Sequence, residues 1–213
     1  MLVSEIMSTN LATVTEDDSL SKAFQVLYER GHKVLPVVRG VELCGLLSER
    51  LLAEMQPSKA TSLSVYEINY LMSRTKVKDI MRKDVYTVSP ESAVEEAAHI
   101  MYTNNIGSLP VVDKDNSLVG IVTQTDIFKL LVILLGANRE GTRIALDVPD
   151  GAGVVANITR ILADADININ SIGSYGTGGE RHAIVLKLET SEPGDIPKKL
   201  EDAGYRLTSI QLN

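Results

Sequence analysis

The chain repeats itself. VSEIMSTNLATV (residues 3–14) matches VKDIMRKDVYTV (77–88), and HKVLPVV (32–38) matches IGSLPVV (106–112). Met7 and Met81 are 74 residues apart, as are Pro36 and Pro110. Gly45 and Gly120 are 75 apart, which places a one-residue insertion in the turn DKDNS (113–117). Several motifs kept in one order at one offset mark a duplication, so one small structural plan must be built twice. The copies differ at one informative place. GIVTQTD (120–126) ends in Asp126, whereas GLLSERL (45–51) ends in Leu51, with Ser48 opposite Thr123.

Each copy predicts the same elements. In SLSKAFQVLYERG (19–31), Leu20, Ala23, Phe24 and Leu27 recur at helical spacing. Its twin SAVEEAAHIMYTN (92–104) opens with Ser92 and has Glu95 three residues on, a capping-box signature. VLPVV and SLPVV are short β-rich runs, and proline inside them predicts an edge strand or a strand start. ELCGLLS and SLVGIVT are second strands, followed by helices at 49–55 and about 125–135. QPSKATSLS (56–64) has linker composition. The apolar run IFKLLVILLGA (127–137) is too short to span a bilayer and contains Lys129, so a buried helix is expected.

After Gly136 the pattern changes. TRIALDV (142–148) predicts a strand, PDGAG a loop, and VVANITRILADA (154–165) a helix with Val155, Ile158, Ile161 and Leu162 on one side. ININSIGSYG and RHAIVLKLET predict strands around a turn, TGGE (177–180). A short helix (195–203) and a last strand (205–212) complete a βαββαβ, ferredoxin-like order.

These residues carry a family resemblance. The twin I-M…T-V openings, the twin LPVV runs and G-hydrophobic-hydrophobic-[ST]-x-x-D at the end of the second copy make residues 2–135 resemble a pair of CBS (cystathionine-β-synthase-type) domains. The βαββαβ order, D-G-A-G-V at the first turn and ADININ before the second strand make residues 142–212 resemble an ACT domain, though Ala152 stands where that family usually has proline. The whole is similar to CBS–ACT proteins grouped with the acetoin-utilisation accessory family. The expected architecture is α/β (α+β): CBS repeat 1 over 1–55, a linker over 56–76, CBS repeat 2 over 77–136 and an ACT domain over 140–213.

The resemblance implies an adenosine-type ligand, such as AMP, ADP, ATP or S-adenosylmethionine. It also implies two clefts related by a pseudo-twofold axis, each joining the [ST]-x-x-D end of one copy to the opening and pre-LPVV segments of the other. The cleft ending in Asp126 would then use Thr123, Thr125, Asp126, Met7, His32 and Lys33. A carboxylate can accept from both ribose hydroxyls through charge-assisted bonds, hydroxyls can donate to phosphate or ribose oxygens, and a strand-to-helix junction favours anions. Asp126 also fits plain helix capping, and the two roles can coexist. The cleft ending in Leu51 has no such acceptor. It retains Ser48 and Arg50, with Val77, Met81, Ile106 and Ser108 from the second copy, and is expected to be degenerate and packed. In the ACT region the resemblance places Asp150, Gly153 and Asn168 at positions that contact an amino-acid ligand across a dimer; the competing reading is a glycine-rich turn with a helix cap in a domain that only dimerises.

The expected function is a non-catalytic, regulatory ligand sensor, as a homodimer. An enzyme or accessory protein of acetoin or related carbon metabolism and a purely structural dimerisation module are the alternatives. Residues 1–138 carry 13 basic and 17 acidic side chains and residues 139–213 carry 8 and 11, so neither half is a basic, phosphate-seeking surface for nucleic acid. His32, His99, His182 and Cys44 show no metal-ligand spacing. No nucleophile elbow or Walker-type loop is present. One cysteine allows no intrachain disulfide, and with no signal-like start a cytoplasmic setting is expected, without membrane association.

Overall fold

The computed structural model describes residues 1–29, 31, 33–54, 64–176 and 179–212. They form two compact units, Met1–Ile127 and Phe128–Asn213.

In the first unit each copy contributes a helix and an antiparallel hairpin. Copy one has β1 (Val14–Thr15), α1 (Leu20–Glu29), β2 (Val34–Arg39), β3 (Glu42–Ser48) and α2 (Glu49–Glu54). Leu20, Ala23, Phe24 and Leu27 are the buried face of α1, as their spacing predicts. Helix α3 (Val65–Arg74) lies inside the stretch expected to be linker. It is started by a capping box in which Glu67 N–H donates to Ser64 Oγ and Ser64 N–H donates to the Glu67 carboxylate. It packs on α1, and Met72 joins the core beneath. The rest of that linker, 56–63, lies outside the described residues. Copy two has α4 (Val77–Ile80), α5 (Val94–Asn104), β4 (Ser108–Val112), β5 (Leu118–Thr123) and α6 (Gln124–Leu134).

The opening segments change places. Ser8 N–H donates to Ile121 O (2.9 Å) and Ile121 N–H to Ser8 O (3.0 Å). The mirror pair is Leu46 N–H to Arg82 O (2.9 Å) and Arg82 N–H to Leu46 O (3.0 Å). Leu2 likewise bridges Ala93, and Lys76 bridges Ser19. Each opening thus extends the other copy's hairpin, and these matched bridges define the pseudo-twofold relation. The cores follow. Val3 is buried with Val88, Met101 and Leu109 of copy two, while Val77 and Met81 are buried with Leu27, Leu35 and Leu47 of copy one.

This exchange explains two departures from expectation. Pro36 sits in the central strand of the order β1-β2-β3, not at an edge. Its cross-strand partner is Leu46, whose N–H and C=O both turn away to Arg82, so the pair needs no proline N–H. Pro110 opposite Ile121 has the same pairing, but its strand β4 is an edge of the two-stranded sheet β4-β5, as proline predicts. Ser92 does not cap α5: the helix begins after Ala93, which has no side-chain cap. Ser92 O accepts from Val3 N–H and Met1 O from Val94 N–H, which holds this backbone extended.

Helix α6 was expected to be buried. Only Leu130 is; Phe128, Leu131, Ile133 and Leu134 are half exposed or more. No described helix is long and apolar enough to cross a membrane.

The second unit has β6 (Thr142–Pro149), α7 (Val154–Ala163), β7 (Ile169–Gly176), β8 (Arg181–Leu188), α8 (Ile196–Asp202) and β9 (Arg206–Leu212). The sheet order β7-β8-β6-β9 is fully antiparallel and is that of a ferredoxin-like fold. Ile144, Leu146 and Val148 alternate into the core beneath Ile158 and Leu162. Val155, expected on that face of α7, is exposed. Lys187 is buried with its Nζ donating to Gly141 O at 2.8 Å, which ties the entry loop to the sheet. Part of the predicted turn 177–180 (residues 177 and 178) lies outside the described residues.

Candidate functional site

A cavity of about 500 Å³ lies where the end of copy one meets the opening of copy two. That size is typical of small-ligand pockets. Ser48, Arg50 and Leu51 come from the junction of β3 with α2. Ile106, Gly107 and Ser108 come from the segment entering β4. The Leu51 cleft is therefore not packed shut, which corrects the expectation from its missing carboxylate.

Of the residues expected there, Ser48, Arg50, Ile106 and Ser108 line the cavity. Val77 and Met81 do not. Val77 is fully buried, and the Met81 side chain lies where a Cβ on Gly45 would stand, 2.8 Å from its sulfur. The reason is alternation. Pairing with Leu46 makes the opening locally strand-like, so Met81 turns to the core while its neighbours Ile80 and Arg82 turn to the cleft. Asp84, Tyr86 and Asn105 complete the polar wall and were missed by sequence reasoning. The period-two signal I-M-R (80–82) could have found the first two.

The residues expected at the Asp126 cleft hold the repeat-related positions. Thr123 matches Ser48, Asp126 matches Leu51, and Lys33 matches Gly107. Asp126 Oδ2 accepts from Thr123 N–H (2.9 Å) and Thr123 Oγ1 (2.6 Å). The capping role is thus realised at the start of α6 with one carboxylate oxygen. Oδ1 has no partner among the described residues. In the other copy only half of this remains, Leu51 N–H to Ser48 Oγ at 3.2 Å. Thr125 and Lys33 are exposed, and the Lys33 carbonyl accepts from Glu49 N–H at 2.9 Å. Met7 covers Gly120 and packs partly buried on the second core, whereas Met81, which covers Gly45, is buried in the first. His32 lies outside the described residues.

In the second unit the three expected ligand residues are not gathered within one chain. Asp150 is near the β6–α7 turn, with its carboxylate 3.4 Å from His182 Nε2. Gly153 is the N-cap of α7 at φ 86°, a left-handed value that favours glycine. Asn168 is at the opposite end of the sheet, where its Nδ2 donates to the Glu189 carboxylate at 2.6 Å. On β6 the Asp147 carboxylate lies between Arg181 (2.9 Å) and Arg206 (2.9 Å) and is held below the ordinary carboxylate range, chiefly by the hydrogen bond from Arg181. Burial pushes the Cys44 thiol up, the opposite of a reactive thiolate.

Fold and cleft define a class, a duplicated α/β module with a ligand-sized cleft between its copies, followed by a small βαββαβ domain. The chain belongs to the CBS domain family: the CBS domain model matches residues 3–56 and 77–133, and the ACT domain model matches residues 142–205. A CBS domain-containing protein of Dictyostelium discoideum is 33% identical over 136 residues, covering 63% of this chain and 94% of that protein. A homoserine O-acetyltransferase of Methanohalobium evestigatum is 32% identical over 130 residues, 61% of this chain but 24% of that protein. An inosine-5′-monophosphate dehydrogenase of Methanocaldococcus jannaschii is 32% identical over 127 residues, 59% of this chain and 22% of that protein. The aligned part is thus about a quarter of the length of these two enzymes.

Solved structures agree on the first unit. A CBS domain pair in complex with 5′-methylthioadenosine and S-adenosyl-L-methionine is 27% identical with a TM-score of 0.51, covering 62% of this chain and 99% of that one. CBSX2 in complex with AMP is 25% identical with a TM-score of 0.53, covering 62% and 96%. A Vibrio cholerae protein named as a candidate acetoin utilization protein (AcuB) is 28% identical with a TM-score of 0.54, covering 65% and 95%.

Proposed function

We propose that the chain is a non-catalytic ligand sensor whose CBS pair takes an adenosine-type ligand. One observation carries the reading: the cavity of about 500 Å³ between the copies, walled by Leu46, Leu51 and Ile80 and fringed by Arg50, Arg82, Asp84 and Ser108. Apolar walls suit a planar base, and the convergent polar groups suit a sugar and its substituents. The neighbours with AMP and with S-adenosyl-L-methionine support the ligand class. Asp126, with one oxygen still open, is the ribose acceptor of the second cleft, with Thr123, Thr125 and Lys33 beside it. Sensing requires the ligand to favour one arrangement of the pair, and exchanged opening segments are suited to this because a ligand touching one opening also touches the other copy's core.

Calorimetric titration with AMP, ADP, ATP and S-adenosylmethionine tests the reading. The wild-type chain is expected to bind at least one of them below millimolar. Arg82→Ala weakens the Leu51 cleft and Asp126→Ala the other. If none binds, the sensor reading is lost.

A homodimer is part of the proposal. The sheet of the second unit leaves β7 and β9 as edges, and α6 leaves apolar side chains exposed. Sedimentation equilibrium distinguishes dimer from monomer. Amino-acid binding at Asp150, Gly153 and Asn168 would need residues from two chains, because one chain holds them at opposite ends of its sheet.

A further inference from the structure

The four strands of the second unit carry their charge on one face. They hold four Arg and Lys side chains, Arg143, Arg181, Lys187 and Arg206, and a single acid, Asp147. Alternation and register put all five on the side turned away from Ile144, Leu146, Ile184 and Leu186, and so away from α7 and α8. Residues 139–213 as a whole carry 8 basic and 11 acidic side chains, so this face runs against the charge of its own domain. We infer that it docks a carboxylate-rich segment of a partner protein, drawn there by charge complementarity.

Three observations support it. Arg143 and Lys187 are direct cross-strand partners. Like charges so placed repel, and neither has a carboxylate partner among the described residues. Arg143 donates to Ser209 Oγ at 3.4 Å, and the buried Lys187 to Gly141 O at 2.8 Å. A carboxylate arriving from outside relieves this pair. Four residues further along β6, about 14 Å at the usual rise, Asp147 holds Arg181 and Arg206. Arg181 is committed to Asp147, but Arg206 only shares it and its side chain is 74% exposed. One small anion cannot reach both Arg143 and Arg206, whereas an extended acidic chain can. Between them the floor is Ala145, Ala183 and Gly173, whose short side chains let a partner's backbone come close.

The chain covers one end of this face itself. Within the same unit Leu135 lies 3.4 Å from a Cβ built on Gly173, and Gly136 sits over Ser171 and Lys187. Beyond that cover a hollow of about 390 Å³ opens beside Tyr175, Arg181, Ala183, Arg206 and Thr208. A nucleic acid fits this surface less well than an acidic peptide. The two central strands, β6 and β8, carry no Phe, Tyr or Trp on which bases could stack, and Asp147 stands in the path of a phosphate chain.

The test is fluorescence anisotropy on the full chain with three labelled probes: an alternating Glu-Ala peptide, its Lys-Ala counterpart and an oligouridine of the same charge as the acidic peptide. In an extended Glu-Ala chain every carboxylate faces one side, about 7 Å apart, which matches the spacing of the face. The acidic peptide is expected to bind below millimolar, at least about tenfold more tightly than either control, and to weaken as salt is raised. Arg143→Glu should weaken it by about fivefold or more, and Arg206→Glu likewise. Asp147→Asn should tighten it by about threefold, because the internal carboxylate no longer competes. That sign separates docking from structure, since damage to the sheet would weaken binding in every variant. If the acidic peptide does not bind, if oligouridine binds as tightly, if Arg143→Glu leaves the affinity unchanged, or if Asp147→Asn weakens it, the assignment is overturned.

Discussion

Gly45→Ala probes the exchanged openings most directly. A Cβ at Gly45 would lie 2.8 Å from Met81 Sδ and 2.9 Å from the Arg82 carbonyl oxygen. Carbon contacts are comfortable near 3.5–4.0 Å, so both atoms must move. The sulfur can swing away, but the carbonyl accepts Leu46 N–H in the bridge that joins the copies. Overpacking of this kind costs about 1–3 kcal/mol. Loss of glycine freedom in the unfolded chain returns about 0.4–1 kcal/mol. The expected net loss is about 1–2 kcal/mol. Gly120→Ala is the internal control. There the Cβ meets only Met7 side-chain atoms, at 2.5, 3.0 and 3.3 Å, and no backbone atom is among the three nearest. A methionine side chain re-orients readily, so the net change should stay within about 1 kcal/mol. Urea unfolding followed by far-UV circular dichroism reads both variants, with the first unit's transition taken separately if the two units melt apart. Removing the methionines sharpens the comparison. Met7→Ala should relieve nearly all the strain of Gly120→Ala, whereas Met81→Ala should leave Gly45→Ala destabilised because the Arg82 carbonyl remains. Equal effects at the two glycines, or full relief by Met81→Ala, would refute the reasoning. The same displacement should weaken nucleotide binding in Gly45→Ala, since Arg82 is both bridge and cavity wall.

Three further outcomes follow from the geometry. Val3→Ala should cost about 2 kcal/mol, because two methyl carbons leave the core of the other copy; a change under about 0.5 kcal/mol in urea titration would contradict the exchange. Thr123→Ala should cost about 1 kcal/mol by removing the cap on α6, and a double-mutant cycle with Asp126→Ala should show most of that loss as coupling. Asp147 has a folded value below its unfolded one, about 3.9, so its contribution is present above that pH and is lost as pH falls through the folded value. Asp147→Asn should therefore be less stable at pH 7 and converge with wild type in strong acid; parallel stability–pH curves would refute the pairing.

Much of the fold was legible because its signals are local. The spacing of Leu20, Ala23, Phe24 and Leu27 specifies the buried face of α1 whatever packs on it. The alternation in TRIALDV does the same for β6. The helix Val65–Arg74 was lost because the linker was extended over 56–76, although Ser64 and Glu67 carry a capping box that local inspection can find. The site was legible in part. Ser48, Arg50, Ile106 and Ser108 were expected at the Leu51 cleft and line it, while Met81 was placed on the wrong side of a strand-like segment.

The sequence by itself determined that two equivalent units exist, that a ferredoxin-like unit follows, and that the helix ends at residues 51 and 126 differ chemically. Each of these depends on neighbours within a few positions, or on comparing one copy with the other. Tertiary structure decided which copy each opening serves, why Pro36 and Pro110 are tolerated, and what walls each cleft. Those depend on Leu46 meeting Arg82 and Ile121 meeting Ser8, contacts between backbone groups that leave no mark in residue type. It also decided the meaning of Leu51. Seen along the chain it is a missing carboxylate; folded, it is one wall of an open cavity to which the other copy brings Arg82 and Asp84.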